Sequence, residues 1–281
     1  MQDKIKQKKG LVFQGGGVLG ICYIGALEQL ESIGCKFDAF IGSSIGSLYA
    51  AAMACRMNVD DMKTYMMNLN LNKIKDNYSI FTGIYRLYNK YGWYSNKHLT
   101  KIIRDLLLKA TGNPDITFSE IHMMHGTNLM ITSSSTTLGK LILFDNESTP
   151  DMKVYEACLN SCSIPFYFEN NGYVDGGLMN NYPIKFMNNL VGRDNTLGLK
   201  IVQKNNKYET VTSFYTFCEF IINTIIDSAI KVHISKKDWE NTIPITVSPN
   251  ISFIDFNINE QTKINLIESG KECVIKFINK N

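Results

Sequence analysis

The sequence predicts a three-layer α/β fold with a mainly parallel central sheet, helices on both faces and a helical cap insertion. Three observations lead there. Two glycine-rich strand-to-helix turns follow one another, one helix apart, near the start of the chain; a long segment without strand patterning interrupts the alternation; and short apolar strands resume after it. Residues 11–14, Leu11-Val12-Phe13-Gln14, form a strand that runs into Gly15-Gly16-Gly17-Val18-Leu19-Gly20. Residues 19–33 then place Tyr23, Leu27 and Leu30 at helical spacing with Ile24 and Ala26, and Gly34 supplies the expected C-cap. A second apolar run, 37–41, enters Gly42-Ser43-Ser44-Ile45-Gly46, and the small residues of 47–55 continue as a helix.

From residue 58 to about 125 the composition turns Met-, Tyr-, Asn- and Lys-rich, with helical patches at 60–69 and 98–110 and no clear strand, so this segment reads as a helical insertion over the site. Strand chemistry returns at 128–132 and 141–144, around the turn Leu138-Gly139-Lys140. A helix over 152–160 runs into Ser161-Cys162-Ser163-Ile164-Pro165, and Tyr173-Val174 leads to Asp175-Gly176-Gly177. Residues 196–202 form another strand. The helix of 211–233 carries one polar stripe, Thr216, Glu219, Asn223 and Asp227, and its apolar remainder predicts a mostly buried core helix. No composition shift or Pro/Gly linker marks a second domain. We therefore expect one domain over 1–281, with a catalytic core at 11–190 and 191–281 completing the same fold.

The 281 residues carry 29 basic against 26 acidic side chains, a net charge of +3 that implies no nucleic-acid partner. The basic N-terminus (Lys4, Lys6, Lys8, Lys9) is followed by no signal-like apolar stretch, and seven cysteines without a CxxC pair suit reduced thiols. The expected setting is cytoplasmic, peripheral on membranes at most, with no transmembrane segment, since no run approaches the roughly twenty apolar residues of a span. His122 and His125 are three apart but lack companion ligands, so neither a metal nor a cofactor is expected.

Chemistry concentrates in the turns. Gly42-Ser43-Ser44-Ile45-Gly46 has the layout of a nucleophile elbow, with Ser44 lifted above the sheet edge at a helix N-terminus. A serine needs a base and oxyanion donors. Gly15, Gly16 and Gly17 can present backbone N–H groups, and Asp175, at a strand end before Gly176 and Gly177, suits the role of base better than any histidine, His233 included. A weak carboxylate base works by position and desolvation.

In their order and spacing, Gly15 to Gly20, Gly42 to Gly46 and Asp175-Gly176-Gly177 resemble the three signatures of patatin-like phospholipases, whose members are serine lipid acyl hydrolases with a Ser–Asp dyad. The resemblance extends to Ser161-Cys162-Ser163-Ile164-Pro165 and Asn181-Tyr182-Pro183, and more loosely to Phe253-Ile254-Asp255-Phe256 and residues 266–270. It implies Ser44 as nucleophile, Asp175 as proton acceptor, Gly15, Gly16 and Gly17 as the oxyanion turn, Gly20, Gly42, Gly46, Gly176 and Gly177 as motif glycines, and a lipid substrate at a membrane or micelle surface. One position departs: the family commonly has a basic residue before the last glycine of the first turn, where this chain has Leu19.

Two other readings compete. Gly15-x-Gly17-x-x-Gly20 also matches a dinucleotide fingerprint, but Asp38, the acid at roughly the required spacing, begins its strand instead of ending it. A catalytically silent lipid-binding relative would keep the glycines for stability. The presence of both Ser44 and Asp175 favours hydrolysis. The Met- and Tyr-rich stretches 62–69 and 85–94 suit an acyl channel or a bilayer contact as well as ordinary helix packing.

Overall fold

The computed structural model describes residues 2–76, 79–203, 211–248 and 250–279. A short helix α1 (Gln2–Lys6) precedes β1 (Gly10–Phe13), which leads through the 3₁₀ turn Gly17–Ile21 into α2 (Cys22–Ser32), β2 (Ala39–Ser43) and α3 (Ile45–Ala54). The inserted segment forms α4 (Val59–Asn68), a 3₁₀ turn at Leu71–Ile74, α5 (Ile80–Lys90), β3 (Gly92–Tyr94), α6 (Lys97–Thr111) and α7 (Phe118–His125). There follow β4 (Asn128–Ser135), β5 (Lys140–Asp145), α8 (Val154–Ser161), β6 (Phe166–Phe168), β7 (Tyr173–Val174), α9 (Gly177–Asn180) and α10 (Ile184–Val191). The chain ends with β8 (Thr196–Gln203), α11 (Phe214–His233), α12 (Lys236–Trp239), β9 (Thr242–Val247) and α13 (Glu260–Ile278).

The main sheet runs β5-β4-β2-β1-β8-β9, with β7 also pairing β4. Its pairs from β4 through β9 are parallel, and β5 and β7 join β4 antiparallel. Both faces of β1 and β2 are covered, so these strands are continuous apolar runs without alternation. Phe13, Phe40, Ile131 and Leu199 belong to the larger core cluster, with α2, α3 and α13, while Val12, Ile41 and Met130 meet Tyr182, Ile184 and Met187 in a smaller one under α10.

This sheet order places a topological switch at β1. The connection from β1 leads to β2 on one side and α2 on one face; β8 lies on the other side and its connection leads towards β9. In open α/β sheets the crevice outside the carboxyl ends of strands at such a point is where ligands bind.

Two expectations are corrected. The insertion contains a strand, β3, which pairs in parallel with β6 in a separate two-stranded sheet. Three residues are too short for a pattern to register, and the partner lies far along the chain. The helix over 214–233 is not a mostly buried core helix: among its described side chains Ile222 is buried, but Phe217 is 48% and Ile225 44% exposed. Its apolar positions cover more of its circumference than the one side that packs on α9. Among the described residues no helix is long and apolar enough to cross a membrane.

Candidate active site

Ser44 stands between β2 and α3 with φ 50° and ψ −132°, a conformation that a side-chain-bearing residue holds only when its surroundings force it. Those surroundings are explicit. A Cβ on Gly42 would lie 2.1 Å from the Gly46 carbonyl oxygen, and one on Gly46 would lie 2.5 Å from that of Phe13, so strand and helix meet backbone to backbone. The Ser44 N–H donates to Ser161 Oγ at 2.8 Å, and Ser47 Oγ donates to the Ser44 carbonyl at 2.6 Å. Gly20, Gly176 and Gly177 are also closely approached, within 3 Å of where a Cβ would stand, by Ile45, Thr132 and Asn181.

Asp175 follows β7, whose pairing with β4 delivers it to the same sheet edge. Its N–H donates to the Ser163 carbonyl at 2.9 Å and its own carbonyl accepts from Ser134 Oγ at 3.0 Å. The carboxylate divides its two oxygens: Oδ1 accepts from the Gly177 N–H at 2.7 Å, and Oδ2 accepts from Ser44 Oγ at 2.6 Å. Both residues are buried, Ser44 at 7% and Asp175 at 4% exposure. Burial pushes the Asp175 carboxyl up to about 6, against the opposing pull of the bonds from Ser44 and Gly177. A hydroxyl bonded to a desolvated carboxylate is the arrangement that nucleophile activation requires.

The first glycine turn lies beside this pair. Gly17, at φ +54°, has the Phe253 carbonyl oxygen 1.9 Å from where a Cβ would stand, and the Phe253 oxygen accepts the Val18 N–H at 2.9 Å. Gly15 departs from the expected role of oxyanion donor, because its N–H already donates to the Asn181 carbonyl at 3.0 Å. The Asn181 side chain closes the pair, its Nδ2 donating to the Gly15 carbonyl at 3.2 Å. The amides of Gly16 and Gly17 have no acceptor among the described residues. They, with the N-terminus of α3, are the donors available to an oxyanion.

Two cavities meet at Ser44. One, of about 240 Å³, includes Gln14, Gly16, Asp175, Asn181, Lys200 and Asp227 in its lining. The other, of about 60 Å³, is walled by Val18, Leu48, Met66, Leu71, Ile102 and other apolar side chains, several from the insertion. Leu19 is buried and adds no charge. Asp38 lies at the start of β2, paired with Arg56 at 3.1 Å, away from the glycine turn, so it is not placed as the ribose-binding acid of a dinucleotide site. The His233 side chain lies outside the described residues.

Sequence reasoning left four contributors without a role. Ser161 and Asn181 lie in segments noted for their resemblance, yet their bonds to Ser44 and Gly15 are long-range. Gln14 directly follows β1 and Lys200 interrupts the apolar run of β8, and a polar residue closing or interrupting such a strand is the signal that could have singled them out.

The family profile described as patatin-like phospholipase matches residues 11–187. An uncharacterised protein, R571, of Acanthamoeba polyphaga mimivirus is 28% identical over 299 residues, covering 97% of this chain and 96% of its own. A probable lipid hydrolase, 463L, of Invertebrate iridescent virus 6 is 30% identical over 192 residues; the match covers 64% of this chain and 63% of that protein. Among solved structures, VipD from Legionella pneumophila superposes with a TM-score of 0.65 at 16% identity, over 97% of this chain and 67% of that one, a likeness of fold. With the profile spanning more than half of its length, this chain belongs to the patatin-like phospholipase family.

Proposed function

We propose that this protein hydrolyses fatty-acyl esters of lipids through a Ser44–Asp175 dyad. The observation that carries the reading is the 2.6 Å bond between Ser44 Oγ and a buried Asp175 carboxylate in a cavity beside unpaired backbone amides. Ser44 Oγ attacks the ester carbonyl as its proton passes to Asp175 Oδ2. The Gly16 and Gly17 amides and the α3 N-terminus stabilise the oxyanion. Asp175 returns the proton to the departing alkoxide, and a water, deprotonated by the same carboxylate, then releases the fatty acid from Ser44. The apolar cavity suits the acyl chain, with unbranched Met66 able to move aside for it.

The family supports a lipid substrate, and α5 supports its presentation at a surface. Ile80, Phe81, Ile84, Tyr85 and Tyr88 line one stripe of that helix, each more than half exposed, while Gly83 packs on the Trp93 ring behind it. Such a face suits a peripheral stay on a membrane or micelle. We read 1–281 as one catalytic domain working in the cytoplasm.

The test is the intact mass after exposure to a fluorophosphonate lipid probe. A single adduct on wild type that vanishes with Ser44→Ala is expected. Label or turnover retained in folded Ser44→Ala would end the dyad mechanism.

A further inference from the structure

The larger cavity occupies the crevice at the topological switch, and two polar side chains face it that the proposed chemistry leaves idle. Gln14 and Lys200 come one residue after the register pair Phe13↔Leu199 on the parallel strands β1 and β8. Phe13 and Leu199 point into the larger core, so their successors point to the other face. Gln14 is 6% exposed, and among the described residues its Oε1 has no hydrogen-bond partner. Lys200 is 8% exposed, and among the described residues its Nζ makes no hydrogen bond and no ion pair. Its neighbours are the Trp239 ring, 5.4 Å to the centroid, and the field of Asp227, which lines the same cavity from α11. An ammonium this far out of water without an acceptor is costly, and burial lowers its pKa. A ligand anion would remove that cost.

We infer that Lys200, with Gln14 beside it, is the phosphate subsite of the leaving group, so that the preferred substrates are acyl esters of glycerol phosphates, with the acyl chain in the apolar cavity on the opposite side of Ser44. The inference rests on ester hydrolysis at Ser44. It also gives the chain a cation at its site from β8, where Leu19 withholds one from the glycine turn. Gln14 contributes an amide that can donate to a phosphate oxygen or, through Oε1, accept from a glycerol hydroxyl.

A matched pair of substrates isolates the phosphate: 1-palmitoyl-glycerol 3-phosphate and 1-monopalmitoylglycerol in the same detergent micelles. Wild type should favour the phosphate ester, and Lys200→Met should reduce the ratio of the two kcat/KM values about tenfold or more, chiefly through KM, the loss usual for a charge-assisted hydrogen bond. Lys200→Arg should restore most of it. An unchanged ratio, or equal losses on both esters, overturns the assignment.

A second arm needs no turnover. Calorimetric titration of sn-glycerol 3-phosphate into the Ser44→Ala protein should show binding that disappears when Lys200→Met is added. Absence of binding, or binding indifferent to Lys200→Met, overturns the subsite even where Ser44 is labelled. Inorganic phosphate binding as tightly as the glycerol ester would make it a free-phosphate site and overturn the lipid assignment. Binding that depends on Lys200 while wild-type Ser44 stays unlabelled would support the subsite and dismiss the hydrolysis.

Discussion

Asp175→Asn separates the chemistry proposed for Asp175 from what its charge does to the fold. The replacement keeps an oxygen for the Gly177 N–H and a nitrogen facing Ser44 Oγ, so it changes charge and basicity with little change of shape. The rise of the carboxyl from 3.8 to about 6 is dominated by burial. At 1.36 kcal/mol per pH unit it corresponds to about 3 kcal/mol of instability. The sign follows from proton counting. Below pH 3.8 both folded and unfolded chains carry the proton; between 3.8 and about 6 the folded chain keeps it and the unfolded one has lost it, so stability falls as pH rises through that window and is level above it. Asp175→Asn should therefore raise the midpoint of thermal unfolding at pH 8, by roughly 5 °C for a chain of this size, and leave it unchanged near pH 3.5. Ester turnover should vanish in the same protein. In wild type, kcat/KM for a soluble ester should be level above pH 7 and fall to about a tenth of that value at pH 5, where about a tenth of the carboxyl is ionised. Scanning calorimetry at the two pH values and a pH profile of released acid read these outcomes. A lower midpoint for Asp175→Asn at pH 8, or wild-type activity level down to pH 5, would refute the argument that a desolvated carboxylate is the base.

Further outcomes follow from the same geometry. Gly17→Ala puts a methyl group into the Phe253 carbonyl at a left-handed backbone position, so turnover should fall by about two orders of magnitude or more, with Ser44 labelling lost in parallel, as expected for a displaced oxyanion donor. Normal labelling of Gly17→Ala would remove that turn from the mechanism. Phe81→Asp with Tyr88→Asp, at positions 80% and 83% exposed, should reduce turnover on phospholipid vesicles about tenfold or more relative to a soluble ester, since each ring is worth about 1.5–3 kcal/mol when buried. Equal rates on vesicles would show that this face does not meet lipid.

The parts of the molecule that one stretch of chain specifies are legible in the sequence alone. A strand, a glycine turn and a helix are neighbours in sequence, so β1 with its turn and β2 with Ser44 announce themselves through composition and spacing. Asp175 was legible because glycines mark its turn. What depended on distant partners was not. The pairing of β3 with β6, the acceptor that Ser161 offers to Ser44, and the Asn181 carbonyl that takes the Gly15 amide out of the oxyanion turn all join residues with no shared local pattern. The exposure of α11 was hidden for another reason: apolar residues all around a helix do not say which of them the rest of the chain will reach.

Asn181 bonds to both backbone groups of Gly15, and it follows directly on α9, the helix that begins two residues after Asp175. The carboxylate loop and the amide loop are thereby tied directly to each other, so we expect them to separate together. Gentle loosening, by mild denaturant or warming, should leave a population of molecules that are either fully competent or fully dead. The count of reactive serines would then decline while each surviving serine keeps its speed. An inhibitor that pries the Asn181–Gly15 contact open would act as a switch, not as a brake.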